Sequence, residues 1–100
     1  MDMEERYRLI ISTILNAIGC QVEVEHMLST GRIDIVASTS RFIYVMELKL
    51  SNNGGLEAAE KQIISNGYLK PFLAEGRKVI GLAVELDDMG KGLIDWKEVK

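Results

Sequence analysis

Two acidic residues and a lysine lie in neighbouring apolar segments of this chain. Asp34 lies within residues 33–38, and Glu47 and Lys49 lie within residues 42–50. Residues two apart in a strand point to the same side, so Glu47 and Lys49 share a face. Charged groups on an apolar strand are costly to desolvate unless they find partners. Two carboxylates that share a divalent cation, with an ammonium group nearby, are typical of metal-assisted phosphodiester hydrolysis.

The register between the two segments decides whether these three side chains can act together. Residues 39–41 form a short polar turn between them, which predicts an antiparallel hairpin. Because side chains alternate along a strand, a slip of one residue would send Asp34 to the face opposite Glu47. A structural cluster of buried ion pairs is the alternative interpretation of the same residues.

Apolar periodicity predicts the elements that surround this hairpin. A helix over residues 3–18 would be capped by Asp2 and ended by Gly19. Further strands are predicted over residues 21–28, 79–86 and 93–99, and a second helix over residues 56–68. This order predicts an α/β domain with a mixed sheet: helix, three strands, helix, two strands. The predicted apolar face of the first helix is broad and comprises Met3, Tyr7, Ile10, Ile11, Ile14, Leu15 and Ile18.

Several other residues could join or support the site formed by Asp34, Glu47 and Lys49. At ~100° per residue, Glu4 falls on the border of the apolar helix face and Glu5 almost opposite it, so only Glu4 can approach the sheet. The alternative for Glu4 is a first-turn acid that favours the helix dipole.

Gln62 lies beside the inward stripe of the second helix and could orient water or phosphate, or lie on the surface. His26 is interpreted as a surface residue. Trp96, in a final strand at the sheet edge, is predicted to cover the core, with packing against a partner as the alternative.

Length and composition limit the remaining classes. One hundred residues predict a single domain over residues 1–100. The lone Cys20 excludes an internal disulfide, and with one histidine in the chain a Cys/His zinc site is excluded as well. No apolar run approaches the ~18 residues of a membrane span, and no export signal opens the chain, so we expect a cytoplasmic protein without a membrane partner. The net charge of −3 disfavours nucleic-acid binding, although metal-binding acids contribute to that charge.

Asp34 followed by Glu47-Leu48-Lys49 resembles the D…ExK signature of the PD-(D/E)XK nuclease superfamily. The similarity is greatest to the nuclease-like domain that follows AAA-ATPase-like domains in bacterial proteins. It keeps its order over nearly the whole chain, although Ile33 stands where the motif has proline. The matching segments are Glu4 with Tyr7, Glu25, Gly31-Arg32-Ile33-Asp34, Glu47-Leu48-Lys49, Ala58 with Gln62-Ile63, Tyr68, Pro71-Phe72, Gly76-Arg77-Lys78 and Asp95-Trp96.

The resemblance implies a restriction-endonuclease-like fold and a nuclease that uses Mg²⁺ or Mn²⁺ on nucleic acid, expected to be DNA. Lys49 would hold and help to deprotonate the attacking water, or stabilise the charged phosphate, and Gln62 would orient the water or the lysine. Glu25 could support the site indirectly, although a solvated strand residue is the favoured interpretation. The implied catalytic residues are Asp34, Glu47, Lys49 and Gln62, and the implied metal ligands are Asp34, Glu47, the backbone carbonyl of Leu48, and Glu4.

The resemblance also bears on partners. Small nucleases of this type are often homodimers, and an ATPase domain, fused or separate, is implied as a partner. The alternative function is therefore a non-catalytic regulatory or dimerisation module of an AAA-ATPase-like protein. The acid, acid and lysine of the motif are all retained, so nothing in the sequence indicates an inactive site, and the nuclease is the leading hypothesis.

Overall fold

The computed structural model describes residues 1–100 as two α-helices and one five-stranded mixed sheet. The helices are α1 (Met3–Ala17) and α2 (Gly55–Ser65). The strands are β1 (Gln21–Leu28), β2 (Gly31–Ser38), β3 (Phe42–Leu50), β4 (Lys78–Leu86) and β5 (Leu93–Val99). Short 3₁₀ helices at Ser51–Asn53 and Lys70–Glu75 flank α2. The predicted order of helix, three strands, helix and two strands is confirmed.

The strands lie in the sheet in chain order, from β1 at one edge to β5 at the other. β3 and β4 are parallel, because α2 carries the chain back to the starting end of the sheet. All other neighbours are antiparallel, and they include the predicted β2–β3 hairpin, in which Ile35 lies opposite Met46. The mixed sheet of the predicted α/β fold is therefore present.

The two helices cover opposite faces of the sheet. α1 packs mainly over β1, β2 and β3, whereas α2 packs over β3, β4 and β5. The alternation of β3 matches this arrangement: Ile43 and Val45 join the core under α2, while Tyr44 and Leu48 join the core under α1. β3 is thus covered on both sides, as its sequence predicts. Neither helix has the length and hydrophobicity that a bilayer crossing requires.

The apolar face of α1 is only partly used. The side chain of Asp2 accepts a hydrogen bond from the Glu5 amide at 2.8 Å, so the predicted cap is present. Tyr7 is buried, but the exposed fractions of Ile10 and Ile14 are 54% and 55%. The broad apolar face predicted for this helix is therefore only partly buried, because α1 packs mainly over β1, β2 and β3 and reaches β4 only around Tyr7. Trp96 on β5 is 58% exposed for the same reason and covers the core incompletely.

Candidate active site

The site lies where β2 separates from β3. Their backbone ladder ends at the pair Ile35–Met46, and the next pair in that register would be Asp34 and Glu47. Beyond this point, side chains replace the ladder. The Leu48 amide donates to Oδ2 of Asp34 at 2.8 Å, and the Asp34 amide donates to Oε1 of Glu47 at 3.2 Å. Each acid is therefore held by the backbone of the opposite strand, and the two carboxyl groups lie side by side.

β1 is interrupted at the same level. Val24 pairs with Ile35 and His26 with Ile33, but Glu25 and Asp34 between them do not pair. Glu25 has a φ of 54°, a left-handed conformation that is uncommon for residues other than glycine. Asp34 therefore lies where the ladders on both of its sides are broken, and its side chain is available for a site.

Burial sets the protonation of the two acids. Glu47 is 2% exposed and Asp34 is 7% exposed. Burial, and then the negative charge of Asp34, raise the pKa of Glu47 to about 8. Burial also raises the pKa of Asp34, although the Leu48 amide and the charge of Arg8 oppose that rise. Two adjacent carboxyls that resist ionising together form a place where added positive charge is strongly favoured.

The acids open on a polar cleft of about 360 Å³. It brings together all the side chains that the sequence places at the site: Asp34, Glu47, Lys49, Gln62 and Glu4. Glu4 lines this cleft and Glu5 lines another, as the helical angles predict. Glu4 does not, however, join the two acids in a close group of three metal-binding side chains.

The single histidine of the chain lies outside the cleft. His26 does not line the cleft; its ring packs against Phe72 with a centroid distance of 5.5 Å. Nδ1 of His26 is 2.6 Å from the carboxylate of Glu23. The prediction of a surface histidine is therefore correct only in part, because the side chain is 24% exposed and its ring packs against Phe72.

Lys49 follows Glu47 on the same side of β3 and also lines the cleft. Its side chain is half-buried, and it forms no salt bridge with any of the acids of the chain. Its positive charge contributes to lowering the pKa of both Asp34 and Glu47, against the larger effect of burial. An ammonium group without a carboxylate partner, next to two crowded acids, is available for a bound water or phosphate.

A charge network that sequence reasoning missed connects α1 to the site. Nη1 of Arg8 lies 3.6 Å from Oδ1 of Asp34, and Nη2 of Arg8 lies 2.7 Å from Oε1 of Glu25. The same oxygen of Glu25 lies 3.6 Å from Arg32. Glu25 thus holds two arginines at the edge of the cleft. The sequence feature that could have indicated Arg8 is its spacing. Arg8 follows Glu4 by four residues, which places both side chains on one side of α1.

Tyr68 is the second feature that the sequence did not assign. Its side chain is fully buried, and its hydroxyl donates to the carbonyl of Arg32 at 3.2 Å. The hydroxyl also accepts from Nε2 of Gln62 and from Nδ2 of Asn66, both at 3.2 Å. A Cβ on Gly31 would overlap this hydroxyl, so glycine is needed there for close approach. Tyr68 therefore fixes the amide of Gln62 at the cleft wall.

The chain beyond β3 is also fixed. The carboxylate of Glu85 accepts from the Ser51 hydroxyl at 2.6 Å and from the Leu56 amide at 3.0 Å. The Ser51 bond, and then the Leu56 bond, lower the pKa of Glu85. Ser51 follows β3 directly and Leu56 lies in the first turn of α2. β4 thereby positions the start of α2 beside the end of β3.

The donor set fits a hard divalent cation. Asp34, Glu47 and Glu4 offer carboxylate oxygens, which Mg²⁺ and Mn²⁺ prefer, and the cleft contains no cysteine or histidine. Mg²⁺ keeps several of its waters, so two close carboxylates are sufficient protein ligands. A bound cation would also offset the mutual repulsion that raises the pKa of Glu47.

Comparison with known proteins gives one clear result. A family model described as the PD-(D/E)XK nuclease superfamily matches residues 2–96. No curated protein matches the chain. The matched range includes both helices, all the residues that line the cleft, and all but the last three residues of β5.

Proposed function

Because the chain belongs to the PD-(D/E)XK nuclease superfamily, with a restriction-endonuclease-like α/β fold, we propose that it is a metal-dependent nuclease that cleaves DNA. The observation that carries this proposal is the pairing of Asp34 and Glu47. Both are buried, each bonds to the other's strand, and both open on one cleft with the unpaired Lys49. Residues 1–100 would act as one nuclease domain.

Asp34 and Glu47 would hold Mg²⁺ or Mn²⁺, with the Leu48 carbonyl and Glu4 as further ligands. When bound, the ion would act as a Lewis acid on the scissile phosphate and acidify a coordinated water. The protein holds the two carboxylates in fixed positions, because the amides that donate to them belong to β2 and β3. Both carboxylates are also buried, which limits their contact with water. Arg8 limits the repulsion between the acids through its charge near Asp34.

Lys49 would bind the attacking water and stabilise the negative charge that develops on the phosphate. A cation held in place for a developing charge is worth more in a partly desolvated cleft than in bulk water. Gln62 donates Nε2 to Tyr68, which leaves its Oε1 free to accept from the water. Both residues line the same cleft and would act on the same nucleophile.

The substrate contacts would come from local positive charge, since the net charge of the chain is −3. Arg32 lines the cleft with a side chain that is 51% exposed, so it can reach a phosphate outside. Lys61, Lys70 and Lys78 are exposed and could contact the backbone on either side. Binding that depends on such phosphate contacts weakens as salt is added.

Cleavage assays with Mg²⁺ test this proposal. Labelled duplex, single-stranded and branched DNA, with RNA alongside, are incubated with wild type, Glu47→Gln and Lys49→Ala. Lys91→Ala is the matched control, because Lys91 is an exposed lysine in the turn between β4 and β5, outside the cleft. We expect cleavage of at least one DNA form by wild type and by Lys91→Ala, with a loss of more than about 100-fold in both site variants.

Cleavage that persists in both site variants would come from another site or a contaminant and would overturn the proposal. A wild-type chain that folds but cleaves none of these substrates would favour the alternative, a non-catalytic module that works with an ATPase. Cleavage of RNA alone would retain the site chemistry and reject DNA as the substrate.

A further inference from the structure

An apolar groove lies on the face of the sheet that α1 leaves uncovered. It has a volume of about 390 Å³ and runs between α1 and the strands β4 and β5. Its walls include Ile10 of α1, Leu82 of β4, and Leu93 and Trp96 of β5. Three of these side chains are more than half exposed: Ile10 at 54%, Leu93 at 59% and Trp96 at 58%. A contiguous apolar surface of this kind on a small chain is typical of an interface.

The groove continues to an open sheet edge. β5 is the last strand of the sheet, and every residue from Leu93 to Glu98 is exposed. It contains no proline, and its apolar residues are not shielded by a covering element. The opposite edge differs, because β1 is interrupted by the left-handed Glu25 and carries Glu23 as a second acid. A left-handed residue and charges of one sign at a sheet edge resist pairing. β5 has one irregularity, opposite Glu85 and Leu86, but it pairs regularly with β4 from Asp95 to Val99, and a regular exposed stretch of this kind favours the addition of another strand.

We propose that a second copy of this chain occupies this surface, with β5 pairing antiparallel to β5 and Trp96 opposite Trp96 of the other copy. The charge pattern of the strand carries this choice. In that register Asp95 lies opposite Lys97 of the other copy, and Lys97 opposite Asp95, so two opposite-charge pairs form. A two-fold axis is the usual symmetry of such a contact.

The other central registers are unfavourable. Centring the pair on Asp95 sets two aspartates against each other, and centring it on Lys97 sets two lysines against each other. If the two-fold axis lay between two residues, each residue would pair with one of opposite side-chain direction. The α1 face of one sheet would then continue into the α2 face of the other, and the two tryptophans would lie on different faces. Of these registers, the one centred on Trp96 forms the opposite-charge pairs and also places the two tryptophans together, with Ile94 opposite Glu98 of the other copy.

The structure places the groups on suitable faces. Nζ of Lys97 lies 2.8 Å from Glu60 of α2, so Lys97 and Asp95 lie on the α2 face of the sheet, whereas Glu98 shares the α1 face with Trp96. Asp95 accepts from the Trp96 amide at 2.8 Å and would release it to bind Lys97 of the other copy. Lys97 is 53% exposed and keeps donors for a second carboxylate. Trp96 lies on the α1 face, where Ile10 and Ile14 of the two copies would extend the buried surface. The joined sheet would have ten strands.

The test uses charge exchange and the single tryptophan of the chain. Association is measured by sedimentation and by the emission wavelength of Trp96 over a range of protein concentrations. Wild type is expected to dimerise with a shift of emission to shorter wavelength. Asp95→Lys and Lys97→Asp each create two like-charge pairs, and each should weaken dimerisation by about tenfold or more. An equimolar mixture of the two variants should form a heterodimer, because both opposed pairs then become complementary.

Two controls keep the outcome decisive. Heterodimer formation shows that both variants are folded, including Lys97→Asp, which brings an acid near Glu60. Met27→Lys changes an apolar residue on the other sheet edge, 70% exposed, and should leave the wild-type dimer unchanged. A wild type that stays monomeric overturns the proposal. So does a mixture that fails to associate, or a dimer that Met27→Lys disrupts and Asp95→Lys does not.

Discussion

Replacing Glu47 by glutamine should stabilise the metal-free protein at pH 8 while it removes the proposed activity. Glu47 is 2% exposed, and burial together with the charge of Asp34 raises its pKa to about 8. Glutamine keeps an oxygen that can accept from the Asp34 amide, which now donates at 3.2 Å to Oε1. The substitution therefore removes the ionisation but retains the shape and the hydrogen bond.

The pH dependence follows from the direction of this shift. An acid whose pKa is higher in the folded than in the unfolded chain holds its proton more tightly when folded. The free energy of unfolding of wild type therefore falls as the pH rises from the ordinary pKa of 4.5 to about 8. At about 1.4 kcal/mol per tenfold change in proton affinity, the upper bound of the penalty is about 5 kcal/mol. Because Asp34 titrates with Glu47 and the strands can relax, we expect about 2–4 kcal/mol.

Urea denaturation with a chelator present, at pH 5 and pH 8, measures this difference. Glu47→Gln should match wild type at pH 5 and exceed it by about 2–4 kcal/mol at pH 8. Glu57→Gln, at an exposed acid in the first turn of α2, should differ from wild type by less than about 0.5 kcal/mol at both values. An equal gain at both pH values would indicate a packing effect. A Glu47→Gln variant no more stable than wild type at pH 8 would refute the reasoning on burial and repulsion.

Three further predictions concern the same cleft. Tyr68→Phe should lower the free energy of unfolding by about 1–3 kcal/mol, measured by urea denaturation, because the Arg32 carbonyl and the Gln62 amide lose their buried partner. Gly31→Ala should lower it by a similar amount, about 1–3 kcal/mol, since its Cβ would overlap the Tyr68 hydroxyl; an unchanged melting temperature would show that the tyrosine can move at little cost. Mn²⁺ should raise the melting temperature of wild type more at pH 8 than at pH 5, because the ion must displace the proton that burial holds on Glu47; an equal rise would place the ion elsewhere.

Much of the fold could be predicted from the sequence, because strand alternation and helix capping depend on residues close together in the chain. Alternation along residues 42–50 fixed both faces of β3, and Asp2 with Gly19 fixed the bounds of α1 closely. The sequence did not predict how many of the apolar α1 residues are buried against the sheet. Periodicity shows which residues of a helix are apolar, but not how far the sheet extends beneath them. The exposed Ile10 and Ile14 follow from the placement of α1 over β1, β2 and β3.

The residues of the candidate site could be proposed from the sequence, but the hydrogen bonds and ion pairs that hold them could not. The acid and lysine spacing predicted Asp34, Glu47 and Lys49 as site residues, and helical angles separated Glu4 from Glu5; the four predicted residues line one cleft and Glu5 does not. The break in the β2–β3 ladder has no sequence signal, since it depends on side chains that take over backbone hydrogen bonds. The contact of Arg8 with Asp34 joins residues distant in the chain, so only the folded structure could reveal it.

The most direct test of the central claim is a calorimetric titration of Mn²⁺ into wild type and Asp34→Asn at pH 8. Asparagine keeps an oxygen for the Leu48 amide, so the fold and the β2–β3 contact should be retained. We predict saturable binding to wild type, with protons released from Glu47, and a loss of more than about tenfold in affinity in the variant. Wild type that binds no Mn²⁺, or a variant that binds it equally well, would contradict the proposal that these two acids form the metal site.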